Sequence, residues 1–243
     1  MDRTEKALEA EKQVKQTKKS NTPTHKPIDV SKIDKLKVRR RDGSIDEIYP
    51  ARIARYASYF VGQLGQDPDT KILKKYFPKN IIWTFEVRTA ATDGIRVFFN
   101  PAFADRLFSA DSLLINKRMK SNPNLDPEEI NGTMFQFVLI HEIYHQIYRH
   151  MHRIRMKPET ASALSNKAIM DLANIACDVE INRDIEYQLP KFEGCTEIIE
   201  GMFDKRFTHE TWELIFDAYN TGEANPPQTK KSPKGKNPSQ PQQ

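Results

Sequence analysis

Apolar residues recur at three- and four-residue steps in four stretches of this chain, the period of a helix with one face turned inward. Ile53, Tyr56, Ala57, Phe60, Val61 and Leu64 mark the first, opened by Tyr49-Pro50-Ala51, where a proline suits a helix start. A second reads from about Pro127 to Ile154, a third from Leu164 to Tyr187, and a fourth from Thr208 to Tyr219 with Trp212, Leu214, Ile215 and Ala218 as core candidates. Ile81 to Val87 and Ile95 to Phe99 are short runs of β-branched and aromatic residues around Thr92-Asp93-Gly94, and they predict two strands. Residues 109–126 contain Lys, Asn and Pro and read as a loop or short helix. Leu189-Pro190 ends the third helix. Helix, strands and then helices make an α+β domain with a small sheet.

The second helix carries the first candidate chemistry. Asp126 reads as its N-cap, Pro127 suits its first position, and Glu128 and Glu129 complement the positive end of its dipole; Gly132 weakens its first turns. Ile140, Ile143, Ile147, Met151 and Ile154 form an apolar stripe, while His141, His145, Tyr148 and His152 fall on another face. Within it lies His141-Glu142-Ile143-Tyr144-His145, an HExxH pattern. Residues four apart on a helix differ by about 40° around its axis, so both imidazoles can bind one metal ion with the carboxylate beside them. Zinc held by three protein ligands keeps a position for water, lowers that water's pKa to about 7, and leaves the neighbouring Glu to take the proton. His150 points away from the pair and reads as solvated surface. His152 lies roughly 10 Å beyond His145 along the axis, too far to join one tetrahedral site on an unbroken helix. Tyr148 and His152 remain candidates for substrate or oxyanion contact.

A third ligand has to come from elsewhere, and the third helix offers one. Ile169, Leu172, Ala173, Ala176, Val179 and Ile181 cover much of its circumference, so it reads as substantially buried. Asp171, Asn174, Asp178 and Asn182 nevertheless align within about 40° of one another. A carboxylate there needs a compensating charge or metal. Asp178 is the ligand candidate, with Asn174 and Asn182 one turn either side as hydrogen-bonding supports; a salt-bridged or solvated Asp would also fit the spacing. Glu180 projects to nearly the opposite side.

Four blocks in order, residues 89–94 and 97–101, then 137–145, then 174–182, resemble the metallopeptidase domain that often precedes a von Willebrand factor A-like domain in bacterial and phage proteins. The likeness spans roughly Ala51 to Tyr219. It implies His141, His145 and Asp178 as zinc ligands, Glu142 as general base, and a zincin-like fold in which a strand such as Ile95 to Phe99 borders the cleft and pairs with an extended peptide. The expected activity is zinc-dependent peptide hydrolysis; the alternative is a non-catalytic, zinc-stabilised binding or virion-associated protein that docks through basic tails.

Charge and composition set the boundaries. The chain has 243 residues, a net charge of +5 and 38% hydrophobic residues. Residues 1–40 hold twelve Lys or Arg against six acids and residues 221–243 hold four against one, which leaves residues 41–220 acidic on balance. The tails therefore read as disordered, residues 41–220 as the catalytic domain, and a nucleic acid or acidic partner as a possible target of the tails. Cys177 and Cys195 make no disulfide scaffold, and Cys177 lies about 100° from Asp178 around its helix. Lacking a secretory signal or long apolar span, the chain is expected in the cytoplasm, or in a host cytoplasm or virion if viral, acting on a peptide or protein without a membrane partner.

Overall fold

A computed structural model describes residues 25–39, 43–199 and 201–227. Strands β1 (Leu36–Arg39) and β2 (Ile45–Ile48) form an antiparallel hairpin with Leu36 opposite Ile48. Helix α1 (Pro50–Leu64) follows, then β3 (Ile82–Trp83), β4 (Ala90–Thr92) and β5 (Val97–Phe99). Five longer helices complete the domain: α2 (Pro101–Ser121), α3 (Thr133–Ile147), α4 (His150–Met156), α5 (Lys167–Gln188) and α6 (Trp212–Thr221). The fold is α+β, as the periodicities require.

The folded region is wider than the charge pattern suggested. Val30 is 5% exposed, Ile28 donates its backbone N–H to the Trp83 carbonyl at 2.8 Å, and β1 lies wholly before residue 41. At the other end Ala224 is buried against α6. A few apolar side chains suffice to order these segments even where Lys and Arg dominate the count. The tail expectations for residues 1–24 and 228–243 lie outside the described residues.

Sheet order departs from the sequence expectation. The three-stranded sheet runs β3-β5-β4, with β5 parallel to β3 and antiparallel to β4. The expected strand over Ile81 to Val87 shrinks to Ile82–Trp83, because the Thr84 hydroxyl accepts the Glu86 N–H at 3.2 Å and the chain bends there. The Asp93-Gly94 turn instead joins β4 to β5. Gly94 adopts φ +90°, and Asp93 accepts the Ile95 and Arg96 N–H groups. Ile95 to Phe99 therefore does not border the cleft as an edge. Its strand part, Val97–Phe99, is the central strand, buried at all three positions, and β4 takes the edge.

Residues 109–126 are also corrected. Asn100 caps α2 by accepting from the Ala102 and Phe103 N–H groups, Pro101 fits the first turn, and the helix runs through Ser109 to Ser121. Ser109 and Ser112 hydroxyls bond back to the Asp105 and Ser109 carbonyls, which lets polar residues ride the helix while Leu107, Asp111 and Leu114 turn inward.

The continuous helix expected from Pro127 to Ile154 is broken twice. Asp126 caps only a single 3-10 turn, Pro127–Ile130, and Gly132 in a left-handed conformation (φ +78°) then starts α3. Arg149, also left-handed (φ +56°), separates α3 from α4. Helix α3 is buried nearly all round, from Thr133 to Ile140 and from Glu142 to His145, so it is the central helix of the domain rather than a surface helix with one apolar stripe. Helix α5 lies between two apolar clusters. Ile181 and Ile185 join the main core with α1, α2, α3 and the sheet, while Ala173, Ala176, Cys177 and Val179 pack on Ile154 and on Trp212, Ile215 and Phe216 of α6. Leu214, expected in that core, is 58% exposed because α6 presents Trp212, Ile215, Phe216 and Tyr219 instead. Among the described residues no helix is long and apolar enough to cross a membrane.

Candidate metal centre

Helices α3 and α5 cross so that three donor atoms converge. The His145 Nε2 lies 3.1 Å from His141 Nε2, and Asp178 Oδ1 lies 3.4 Å from His141 Nε2 and 3.2 Å from His145 Nε2. Metal–ligand bonds of about 2.0–2.1 Å in a tetrahedron require donors about 3.3–3.4 Å apart. The three atoms thus stand where one face of a tetrahedral coordination shell would place them, and among the described residues they are the group of His, Cys, Asp and Glu side chains able to hold a metal ion. Two neutral imidazoles and a carboxylate suit a first-row divalent ion.

Each donor is aimed by a partner behind it. The Met202 carbonyl, 2.7 Å from Asn182 Nδ2, can only accept a hydrogen bond, so the amide oxygen of Asn182 must face His141. That oxygen lies 2.8 Å from His141 Nδ1, which keeps a proton on Nδ1 and makes Nε2, facing the cluster, the nitrogen that an ion would deprotonate and bind. Asn174 Nδ2 donates to Asp178 Oδ2 at 3.3 Å and leaves Oδ1 to the histidines. Asn174 and Asn182 flank Asp178 as the stripe on α5 predicted; Asp171 faces away and pairs with Lys167.

His150 and Glu180 depart most from the sequence expectation. His150 is 0% exposed, with its Nδ1 3.0 Å from His145 Nδ1 and its Nε2 2.9 Å from Glu180 Oε2. Its solvated placement assumed unbroken helical phase, and the left-handed Arg149 resets that phase and turns His150 inward. Glu180 does leave α5 on a different side from Asp178, yet that side packs toward α4, so it reaches the cluster from behind through His150. The break that would have been needed for His152 to join the site exists, but His152 is exposed and stays out. Tyr148 gives its hydroxyl to Asp184 Oδ2 at 2.7 Å rather than to the cleft.

Glu142 is buried on the cleft wall beside the two histidines. Burial pushes its carboxyl above the usual range, with His145 and His141 pulling the other way. For Asp178 burial acts in the same upward sense, but hydrogen bonds from His141 and His145 outweigh it and hold the carboxyl below the ordinary range. His145 is pushed down by burial. At His141 the hydrogen bond and charge of Asp178 overcome burial and lift the ring to about 9.

The cleft measures ≈ 490 Å³ and is lined by Thr89 to Thr92, by Asn174, Asp178 and Asn182 of α5, and by Phe103, Phe137, Val138, Met151, Ile199 and Met202, which give it an apolar lining. Gln146 Nε2 donates to Thr92 Oγ1 at 3.1 Å and ties β4 to α3. A larger hollow of ≈ 780 Å³, near Lys117 and Arg118, lacks the histidine cluster and meets this cleft only at Gly201.

Fold and site together define an α+β protein with a His-His-Asp group, able to hold a metal ion, that lines a cleft. No protein-family model matches the chain, and no curated protein or solved structure matches it either.

Proposed function

We propose that the chain is a zinc-dependent metallopeptidase of zincin-like fold that hydrolyses peptide bonds with Glu142 as general base, in keeping with the metallopeptidase-domain resemblance of its four sequence blocks. The observation that carries this reading is the triangle of His141, His145 and Asp178 donor atoms at tetrahedral spacing, with the Glu142 carboxylate on the same cleft wall. Bound there, zinc would supply Lewis acidity toward a peptide carbonyl and a water more acidic than bulk water.

The chain's own groups supply the rest. Glu142 takes the proton of the attacking water and hands it to the departing amine; burial, by making the carboxyl a better proton acceptor, suits it to both transfers. Asn182 and Asn174 keep the donors aimed. An extended peptide can lie along β4, whose outer edge no other strand covers among the described residues, with its side chains against the apolar lining. The cleft suits a peptide or protein substrate.

Glu142→Gln preserves size and polarity and removes the basic carboxylate. It should keep zinc, measured by elemental analysis, and lose hydrolysis by roughly 10²-fold or more. The assay incubates both forms with unfolded proteins and maps new termini by mass spectrometry. Cleavage by wild type that Glu142→Gln abolishes supports the peptidase. Equal cleavage by both forms overturns the role of Glu142, and zinc binding without cleavage of any substrate favours a zinc-stabilised binding protein.

A further inference from the structure

The His145 imidazole has a second neighbour that the proposed chemistry does not use. With an ion at the cluster His145 Nε2 would be a ligand atom, so the neutral ring would carry its proton on Nδ1, and Nδ1 lies 3.0 Å from His150 Nδ1. Two nitrogens at that distance share one hydrogen. With His145 donating, His150 must present a lone pair at Nδ1 and carry its own proton at Nε2. Glu180 Oε2 lies 2.9 Å from that Nε2 and, as a carboxylate, can only accept. Every donor therefore has an acceptor in one direction: His145 to His150 to Glu180.

This arrangement is held from several sides. His150 is fully buried and Glu180 is 6% exposed, with the Trp212 ring centroid 6.4 Å and the Tyr148 centroid 5.6 Å from that of His150. The left-handed Arg149 is what delivers His150 to this place, one residue into α4. A buried carboxylate is costly unless hydrogen-bonded and electrically compensated. The hydrogen bond comes from His150, and a divalent ion two imidazoles away would supply compensation.

We infer that His150 and Glu180 are positioning residues for the metal centre, a buried His–Glu pair that locks His145 in the tautomer with a free Nε2 lone pair and strengthens that nitrogen as a donor. This rests on the metal reading of His141, His145 and Asp178. It assigns Glu180 a role through His150 and no direct bond to the ion.

The test uses the full chain loaded with zinc and, separately, with cobalt. Nitrogen-15 NMR of the histidine rings should find His145 protonated on Nδ1 and His150 on Nε2. His150→Phe keeps a ring in the space and removes the acceptor; it should weaken zinc binding roughly 10–100-fold and alter the visible absorption of the cobalt form. Glu180→Ala should do the same, whereas Glu180→Gln keeps an acceptor and should recover part of the affinity. Ile185→Ala loosens the same helix through the core, so it should lower the unfolding temperature while leaving affinity per folded molecule and the cobalt spectrum unchanged. His150 protonated on Nδ1 with zinc bound would overturn the inference, as would wild-type affinity in folded His150→Phe and Glu180→Ala, or an equal loss in Ile185→Ala. Failure of the wild type to bind any divalent ion would instead overturn the metal centre itself.

Discussion

Gly132 packs so closely on Phe60 that a Cβ added to it would lie 2.3 Å from the ring's Cδ1. The same glycine has φ +78° and begins α3, the helix that carries His141, Glu142 and His145. Conformation and space both demand glycine here. Gly132→Ala should cost about 2–4 kcal/mol from left-handed strain and overpacking. Denaturant unfolding measures this, and the double variant Phe60→Leu, Gly132→Ala should lose less than the two singles combined, since the smaller side chain relieves the overlap. Additive losses would show that the contact is not the source.

Asp111 of α2 caps α3 from outside the helix. Its Oδ2 accepts the Gly132 N–H at 2.7 Å and its Oδ1 the Met134 N–H at 3.0 Å. Asp111→Ala should destabilise by about 2–4 kcal/mol, because two buried backbone donors lose their acceptor. Burial lifts this carboxyl to about 6 despite those donors. In the unfolded chain an Asp titrates near about 3.9, so the folded protein binds the proton more tightly. The cost of the ionised form is present in full above about pH 6 and is relieved as pH falls through that value toward 4. Wild type should therefore gain on the order of 2 kcal/mol relative to Asp111→Asn between pH 7 and about pH 4.5. A difference that stays flat across this range would place the titration elsewhere.

Metal uptake should release protons. With His141 lifted to about 9, its ring holds a proton at pH 7 that an ion must displace, while Asp178, held below the ordinary carboxylate range, is already ionised. Zinc affinity should rise as pH increases toward about 9 and level off above it. Titration calorimetry at pH 7 in buffers of different ionisation enthalpy should report about one proton or more per ion. No release at pH 7 would mean that Asp178 does not raise the His141 ring as described.

The register of β4 makes a directional prediction for substrate. Asn100 donates to the Thr89 carbonyl and Asp93 to the Arg96 carbonyl, which makes Ala91 and Phe98 the hydrogen-bonded pair between them. The backbone groups of Ala90 and Thr92 therefore turn toward the cleft side. Ala90→Pro removes a cleft-facing N–H and no ladder bond, so it should leave the unfolding transition near wild type and lower kcat/KM for peptides by about tenfold, the upper end of one hydrogen bond's contribution. Ala91→Pro breaks the ladder and should destabilise the fold. Unchanged kinetics in Ala90→Pro would exclude strand pairing as the binding mode.

Local periodicity made the cluster legible. His141 and His145 stand four apart on an unbroken helix, and Asn174, Asp178 and Asn182 do the same on another, so their faces follow from 3.6 residues per turn without knowledge of the rest of the chain. The same rule located α1, α5 and the end of α5 at Leu189-Pro190. It failed across Arg149, since a non-glycine residue in a left-handed conformation carries little sequence signal and every residue beyond it loses phase with α3. Gly132 did carry a signal, a glycine early in a predicted helix, that could have marked the first break.

What the sequence determined by itself is therefore the set of residues that share a face within one element: the HExxH pair with Glu142, and the stripe on α5. Which faces meet was decided by the tertiary structure. The crossing of α3 and α5 brought Asp178 to the histidines, the α3–α4 break brought His150 and Glu180 behind His145, and the β3-β5-β4 order gave β4, not β5, the open edge. The physical reason is range. Backbone geometry correlates side-chain directions over a few turns, whereas strand order and helix crossings are set by burial of apolar surface between residues far apart in the chain.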